Sequence, residues 1–169
     1  MIELNEKTQQ DFLNREWVQK LLDAGVDMSD AKYALYRLKD ATSDIIVYQG
    51  TYFADDRYYN GIKVENIVPT YTASELLYKL HEYIYPTIDG IKCTGEFGMG
   101  KVAGQYTAFY KLAASDIEVL KKRKIYDYGW FYLFAKEENF IEALASLLIQ
   151  CHTHDIGIPN KDTGNISDK

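Results

Sequence analysis

Covalent cross-links are almost absent from what this chain can make. Its two cysteines, Cys93 and Cys151, cannot build a disulfide framework, and their scarcity points to a reducing, cytoplasmic setting. Long apolar runs are missing too, since none approaches the roughly 20 residues that a membrane-spanning helix requires. The opening MIELNEKTQQ has neither a basic segment nor an apolar core, so no secretory signal is expected. Positive charge is in deficit. A formal net charge of −6 removes the electrostatic basis for broad binding along a phosphate backbone. That charge is nevertheless modest, and a hydrophobic content of 47% is too high for disorder over most of the length. Only 3 prolines and 11 glycines interrupt the 169 residues, an ordinary globular composition with enough chain to bury a core.

What is abundant is tyrosine. Fifteen tyrosines lift the aromatic content to 14%. A large apolar ring with a polar tip suits half-buried sheets and contact surfaces alike.

Three helices are predicted from their boundary chemistry. The first covers residues 8–24, with Thr8 and Asp11 at its start and Leu13, Trp17, Leu21 and Ala24 on one stripe. Gly25 should stop it in a left-handed conformation, with Val26 folding back on Leu21 as in a Schellman motif. The second starts at Thr72, where Glu75 completes a T-x-x-E capping box and Tyr71 and Leu76 hold the hydrophobic-staple positions. It is predicted to run to Pro86 and to bury Ala73, Leu76, Leu77, Leu80 and Ile84. The third opens at Asn139 with Glu142 at its third position, buries Ile141, Leu144, Ala145, Leu148 and Cys151, and stops at Gly157.

Strands fill the intervals. Residues 28–39 fit a strand or a helix, and the strand is preferred because DATSD supplies a turn into the β-branched IIVYQG. Asn60-Gly61 marks a tight hairpin between 57–59 and 62–64. IKCTGEF and AGQYTAFYKL both alternate, the second placing Tyr106, Ala108, Tyr110 and Leu112 on one face, and the GMGK between them reads as a hairpin turn. SDIEVLKKRK is a short polar helix or an excursion within a longer hairpin. YGWFYLFA lacks polar alternation and is expected to be a central strand covered on both faces. Trp17, Leu80, Trp130 and Leu148 are the expected core markers. The pattern predicts an α+β fold, a mainly antiparallel sheet of about five strands packed by three helices. It forms a single domain over 1–158, with a flexible tail at 159–169.

Four patterns bear on chemistry. Gly95, Gly98, Gly100 and Lys101 lie in GEFGMGKV, which fits the first seven positions of a phosphate-binding G-x-x-x-x-G-K loop. Val102 then stands where a magnesium-binding hydroxyl is needed, and an alternating segment follows in place of a helix N-terminus. Cys151, His152 and His154, with Asp155, are metal-competent, yet on a continuing helix they cannot converge, and histidines suit a helix C-terminus without any metal. No nucleophile motif is present, so no catalytic residue and no cofactor are assigned. The fourth pattern is a contact surface. Tyr58, Tyr59, Tyr78 and Tyr126 fall at turns or on outward positions, beside the basic run Lys121, Lys122, Arg123 and Lys124. Between residues 111 and 125, five basic residues meet two acids, whereas residues 1–30 hold seven acids against three bases.

Three phrases carry a resemblance. They are the K-L-L-x-x-G-V-D helix exit at 20–27, the P-x-Y-T-x-x-E-L-L helix entry at 69–77 and the A-L-x-x-L-L-I-x-C helix at 143–151. With them the chain resembles a family of small proteins encoded in prophages and mobile elements of gut Bacteroidetes. That resemblance implies a compact α+β domain inside a bacterial cell and imports no activity; residues 113–125 depart from the family's shorter connection. The reading that follows is a non-enzymatic protein-binding accessory factor, its partner a protein or a second copy of itself. A nucleic-acid-associated accessory protein is the alternative, and a nucleotide or small-molecule enzyme using the GEFGMGK segment is the third reading.

Overall fold

The structure is a computed structural model. It describes residues 2–3, 11–48, 58–59, 62–124 and 131–154, and for 2–3, 58–59 and 62–66 the backbone only. Where one domain was expected, the chain groups into two compact units, Met1–Leu76 and Leu77–Lys169. The fold is α+β, and every strand pairing described is antiparallel.

The first unit contains β1 (Ile2–Glu3), α1 (Arg15–Asp23), β2 (Tyr33–Leu38), β3 (Asp44–Tyr48), β4 (Tyr58–Tyr59) and β5 (Ile62–Thr70). Its five strands lie in the order β1-β3-β2-β5-β4. The α1 helix begins later than its periodicity predicts. Asn14 caps it, its Oδ1 accepting the Trp17 amide at 3.0 Å; the predicted cap, Thr8, lies outside the described residues. Leu13 is fully buried even so, because its backbone is tied to the sheet end. Its amide donates to the Tyr71 carbonyl at 3.0 Å, and its carbonyl accepts the Thr70 hydroxyl at 2.6 Å. The exit is the expected Schellman motif: Gly25 has φ 84°, its amide reaches the Leu22 carbonyl, and that of Val26 reaches the Leu21 carbonyl.

Residues 33–38 are a strand. Both faces of the β2–β3 hairpin are buried, with Ala34, Tyr36, Ile45 and Val47 clustered on one and Leu35 and Ile46 on the other. That double burial explains why DIIVY shows no polar alternation. In the β4–β5 hairpin Tyr59 pairs with Ile62, leaving two residues for the loop; Asn60 and Gly61 themselves lie outside the described residues.

The division between the units falls inside α2 (Ala73–Lys79). Its capping box forms as predicted: Thr72 N–H donates to Glu75 Oε2 at 2.8 Å, and Glu75 N–H to Thr72 Oγ1 at 3.2 Å. The helix does not run to Pro86. It stops after seven residues, and Tyr83–Ile84 forms β6. An aromatic followed by a β-branched residue gains more from pairing with Glu96 and Gly95 than from another helical turn.

The second unit continues with β7 (Thr87–Ile88), β8 (Ile91–Lys92), β9 (Gly95–Val102), β10 (Gln105–Leu112), α3 (Ala114–Lys122), β11 (Phe131–Glu137) and α4 (Phe140–Thr153). Four strands form one sheet in the order β11-β10-β9-β6, and β7–β8 is a separate hairpin. That hairpin closes on Asp89-Gly90, both with positive φ, the geometry of a type I′ turn. IKCTGEF is therefore two strands. Cys93 N–H donates to the Pro86 carbonyl at 2.8 Å between them.

The expected GMGK turn is also corrected. Residues 95–102 are strand throughout, and the chain reverses one step later at Ala103-Gly104, with φ 50° and 81°. SDIEVLKKRK forms the polar helix α3, whose Ile117 and Leu120 pack with Ile88, Cys93 and Leu112. In α4, Asn139 Oδ1 accepts the Glu142 amide at 2.9 Å as its boundary chemistry predicts. The helix packs on β10 and β11, with Ile141, Leu144, Ala145, Leu148 and Cys151 all buried. It ends at Thr153, and Gly157 lies outside the described residues, as does Trp130. Trp17, Leu80 and Leu148 are buried. Among the described residues no helix is long and apolar enough to cross a membrane.

Candidate functional site

The largest departure from expectation is β11. It lies at the edge of its sheet, not in the centre, and alternates in burial, with Leu133 and Ala135 turned to α4 and Phe131 and Phe134 outward. Its outward face is apolar too, which is why the sequence there shows no polar alternation. A register shift brings the two phenylalanines together. Phe134 pairs with Phe109 and Phe131 with Lys111, with Tyr132 taken up in a bulge between them. Three residues apart on a regular strand, they would point to opposite faces. Here both join Phe109. The ring centroids are 4.7 Å apart for Phe109–Phe131, 5.2 Å for Phe131–Phe134 and 6.4 Å for Phe109–Phe134. Phe131 and Phe134 stay 42% and 40% exposed.

The glycines of GEFGMGKV now have a reason. Gly98 pairs with Phe109, whose ring lies over the glycine backbone; a Cβ at Gly98 would come within 2.3 Å of Phe109 Cε2. Gly100 pairs with Thr107, whose Oγ1 would be 3.2 Å from such a Cβ. Gly95, on the opposite face, leaves room for the Ile84 side chain, 2.9 Å from the position of a Cβ. Lys101 also lies on that opposite face, its Nζ 4.9 Å from the centroid of the Tyr106 ring. An extended strand paired with β10 along its whole length does not form the concave row of N–H groups that cradles a phosphate. These four candidates form part of a sheet.

The metal-competent set is separated as well. Cys151 is turned into the core and its thiol is pushed up to about 12 by burial. His152 and His154 are exposed on the last turn of α4. Desolvation of part of the His152 ring, and then the Lys79 ammonium, lower its pKa. Among the described residues no group of three or more His, Cys, Asp or Glu side chains could hold a metal ion.

Of the predicted contact residues, Tyr78 is 62% exposed on α2, and Lys121, Lys122, Arg123 and Lys124 are exposed at the end of α3. Tyr58 and Tyr59 form β4 in the first unit, with only their backbone described, and Tyr126 lies outside the described residues. The outward aromatics that do gather are phenylalanines: Phe131 and Phe134, from the segment expected to be covered on both faces, and Phe109, from the face of its strand opposite Tyr106, Ala108, Tyr110 and Leu112.

Charged side chains frame them. The outward side reads in three rows across β11, β10 and β9: Lys136–Thr107–Gly100, Phe134–Phe109–Gly98 and Phe131–Lys111–Glu96, with Thr107 itself buried and Lys136, Lys111 and Glu96 exposed. Lys136 and Glu96 occupy opposite corners. The last row continues to Tyr83 of β6 and borders a cavity of about 250 Å³ lined also by Thr94, Leu112, Ala113 and Ala114. Asp116 fixes its wall by accepting the Thr94 amide at 2.8 Å. The other edge of the sheet is capped at Phe134. Gln150 of α4 donates to the Phe134 carbonyl at 2.9 Å and accepts its amide at 3.2 Å, so backbone groups that would invite another strand are engaged. No family model, curated protein or solved structure matches the chain.

Proposed function

We propose that this chain is a non-enzymatic protein-binding protein whose contact surface is the open face of β9, β10 and β11. A second copy of the chain is its simplest partner. The observation that carries the reading is the cluster of Phe109, Phe131 and Phe134, held by a bulge and by Gly98, with two rings about two-fifths exposed. Contiguous exposed aromatic surface rimmed by charge is what interfaces offer and what isolated surfaces avoid. The corner charges support self-association. A two-fold axis along the diagonal from Gly100 to Phe131 lays each Glu96 over the Lys136 of the other copy and keeps Phe109 at the centre. Such an isologous contact is self-complementary, with strands crossing at a steep angle.

The test is sedimentation velocity over a concentration series. The wild-type mass should rise towards that of a dimer, while Phe131→Ser with Phe134→Ser stays monomeric. Lys136→Glu should also stay monomeric, and adding Glu96→Lys to it should restore the dimer. A wild-type chain that remains monomeric throughout, or a double variant that still dimerises, defeats the self-association reading.

One observation favours a second reading. Exposed aromatics on an antiparallel sheet flanked by lysines also suit stacked bases of single-stranded RNA. Retardation of a single-stranded oligonucleotide, lost with the same phenylalanine substitutions, would favour it.

A further inference from the structure

The aromatic face leaves one edge of its own sheet unexplained. Val102 pairs with Gln105 across the two-residue turn at Ala103-Gly104, both of positive φ, so Val102 exchanges backbone bonds with β10. Alternation then turns the N–H and C=O groups of Gly100, Gly98 and Glu96 to β10 as well, and those of Phe97, Met99 and Lys101 to the opposite edge. β6 covers only the start of that edge. Ile84 stands opposite Gly95, and the Phe97 amide donates to the Glu82 carbonyl at 2.8 Å. From Met99 onward no described residue pairs with it, and residues 99–104 are all exposed, Met99 at 48% and Val102 at 54%. The backbone groups of Met99 and Lys101 are left to water there, whereas Gln150 caps the far edge at Phe134.

Such an open edge is a template for a further strand, and the side chains beside it define the strand that fits. Residues opposite each other in an antiparallel pair project to the same side. On one side stand Met99 and Lys101, the ammonium held 4.9 Å from the Tyr106 ring centroid. The other side has Gly98 and Gly100, and the Phe109 ring lies over Gly98. A second copy of β9 is a poor occupant. The register that joins the open groups of both copies sets Met99 opposite Lys101 about a two-fold axis at Gly100, and leaves the two lysines diagonal neighbours. An acidic side chain opposite Lys101 turns that repulsion into attraction. Opposite Gly98, an aromatic side chain fills the space the glycine leaves and meets Phe109.

We infer that this edge binds an extended peptide segment of another protein as an added antiparallel strand, with an acidic residue opposite Lys101 and an aromatic residue three positions later opposite Gly98. The peptide residues opposite Lys101 and Met99 each exchange two backbone hydrogen bonds with them. This edge is separate from the Phe131–Phe134 contact, so it operates whether or not the chain self-associates.

Isothermal titration with the blocked peptide acetyl-TETVFT-amide tests the edge, on the full chain carrying Phe131→Ser and Phe134→Ser so that the proposed self-association cannot interfere. Its glutamate, valine and phenylalanine fall opposite Lys101, Met99 and Gly98. Saturable binding is expected, with the Met99 and Lys101 amides exchanging quickly in the free chain and protected in the complex. N-methylation of the valine, whose N–H faces the Met99 carbonyl, should weaken binding about tenfold or more. Lys101→Glu should weaken it as well, and acetyl-TKTVFT-amide should recover the loss. Met99→Pro should abolish binding and keep the fold, which does not use that N–H. Three results overturn the inference. They are no saturation, affinities that neither valine methylation nor Lys101→Glu changes, and a dimer of this variant that Met99→Pro dissolves, which would put a second copy on the edge.

Discussion

The two faces of the paired strands β10 and β11 are made by the same residues' alternation and do different work. Towards α4, Ala108, Tyr110, Leu133 and Ala135 are buried, and the small alanines let Leu144 and Leu148 approach the sheet closely. Tyr110 keeps its polar end satisfied there by donating to the His81 carbonyl at 2.8 Å. One residue along each strand, the outward face carries Phe109, Phe131 and Phe134 with lysines around them. Apolar content alone does not distinguish these faces. What distinguishes them is whether, among the described residues, another element covers the rings, so substitutions one position apart should separate stability from recognition.

The largest effect belongs to the covered face. Leu144 and Leu148 are 0% and 1% exposed, and truncating either to alanine should cost about 2–5 kcal/mol in urea unfolding, with association following only as far as the fold survives. A loss well under about 1 kcal/mol at both would erase the distinction between the faces.

Gly98 links the two, and its replacement should have an intermediate effect. Gly98→Ala sets a methyl against the Phe109 ring, which must lift or twist away. A cost of about 1–3 kcal/mol is expected, together with loss of the self-association proposed above. A neutral result in chemical denaturation would mean that the ring does not rest on the strand.

How much of this was legible in the sequence follows the range of the interactions. Capping boxes and stop signals act within a few residues, so Thr72 with Glu75, Asn139 with Glu142, and the Gly25–Val26 exit could be read directly. The start of α1 was obscured because Leu13 continues the helical stripe while its backbone belongs to the sheet end through Tyr71, far along the chain. Gly98 and Gly100 read as a turn because glycine usually signals one. Here they are required by Phe109 and Thr107 on the neighbouring strand, while the actual turn uses Ala103, a residue without turn character. The phenylalanine cluster was hidden by the bulge at Tyr132, which changes the face of Phe131 and leaves no trace in a period-2 pattern. The ion pair of Arg15 with Asp44 had no local signal, since the two are 29 residues apart.

A pH-dependent effect separates the covered face from the open one at no cost at neutral pH. Burial raises the Cys151 thiol from its ordinary value of 9.0 to about 12, while the open face holds no cysteine among the described residues. Above pH 9 the unfolded chain gives up this proton and the folded chain keeps it. The contribution is therefore complete below pH 9 and is lost as pH rises towards 12. Alkylation at pH 9, the ordinary thiol value, gives a direct reading: the native chain should protect Cys151, and urea should release that protection. Rapid native labelling of Cys151 would place it on the surface.

The smallest effect on stability should accompany the largest effect on binding. Phe131 and Phe134 already meet water over about two-fifths of their surface, so replacing both with serine removes little burial beyond their contacts with Phe109. A change of about 1 kcal/mol or less in unfolding free energy is expected. The backbone bonds between Gln150 and Phe134 do not depend on the ring, so the strand edge should stay in place. Association should disappear, because exposed aromatics at the centre of a contact carry much of its energy. Measuring both quantities on one sample decides the matter. Large destabilisation with unchanged solution mass would make the cluster a misplaced piece of core. Unchanged stability with lost association would make it the surface this fold exists to present.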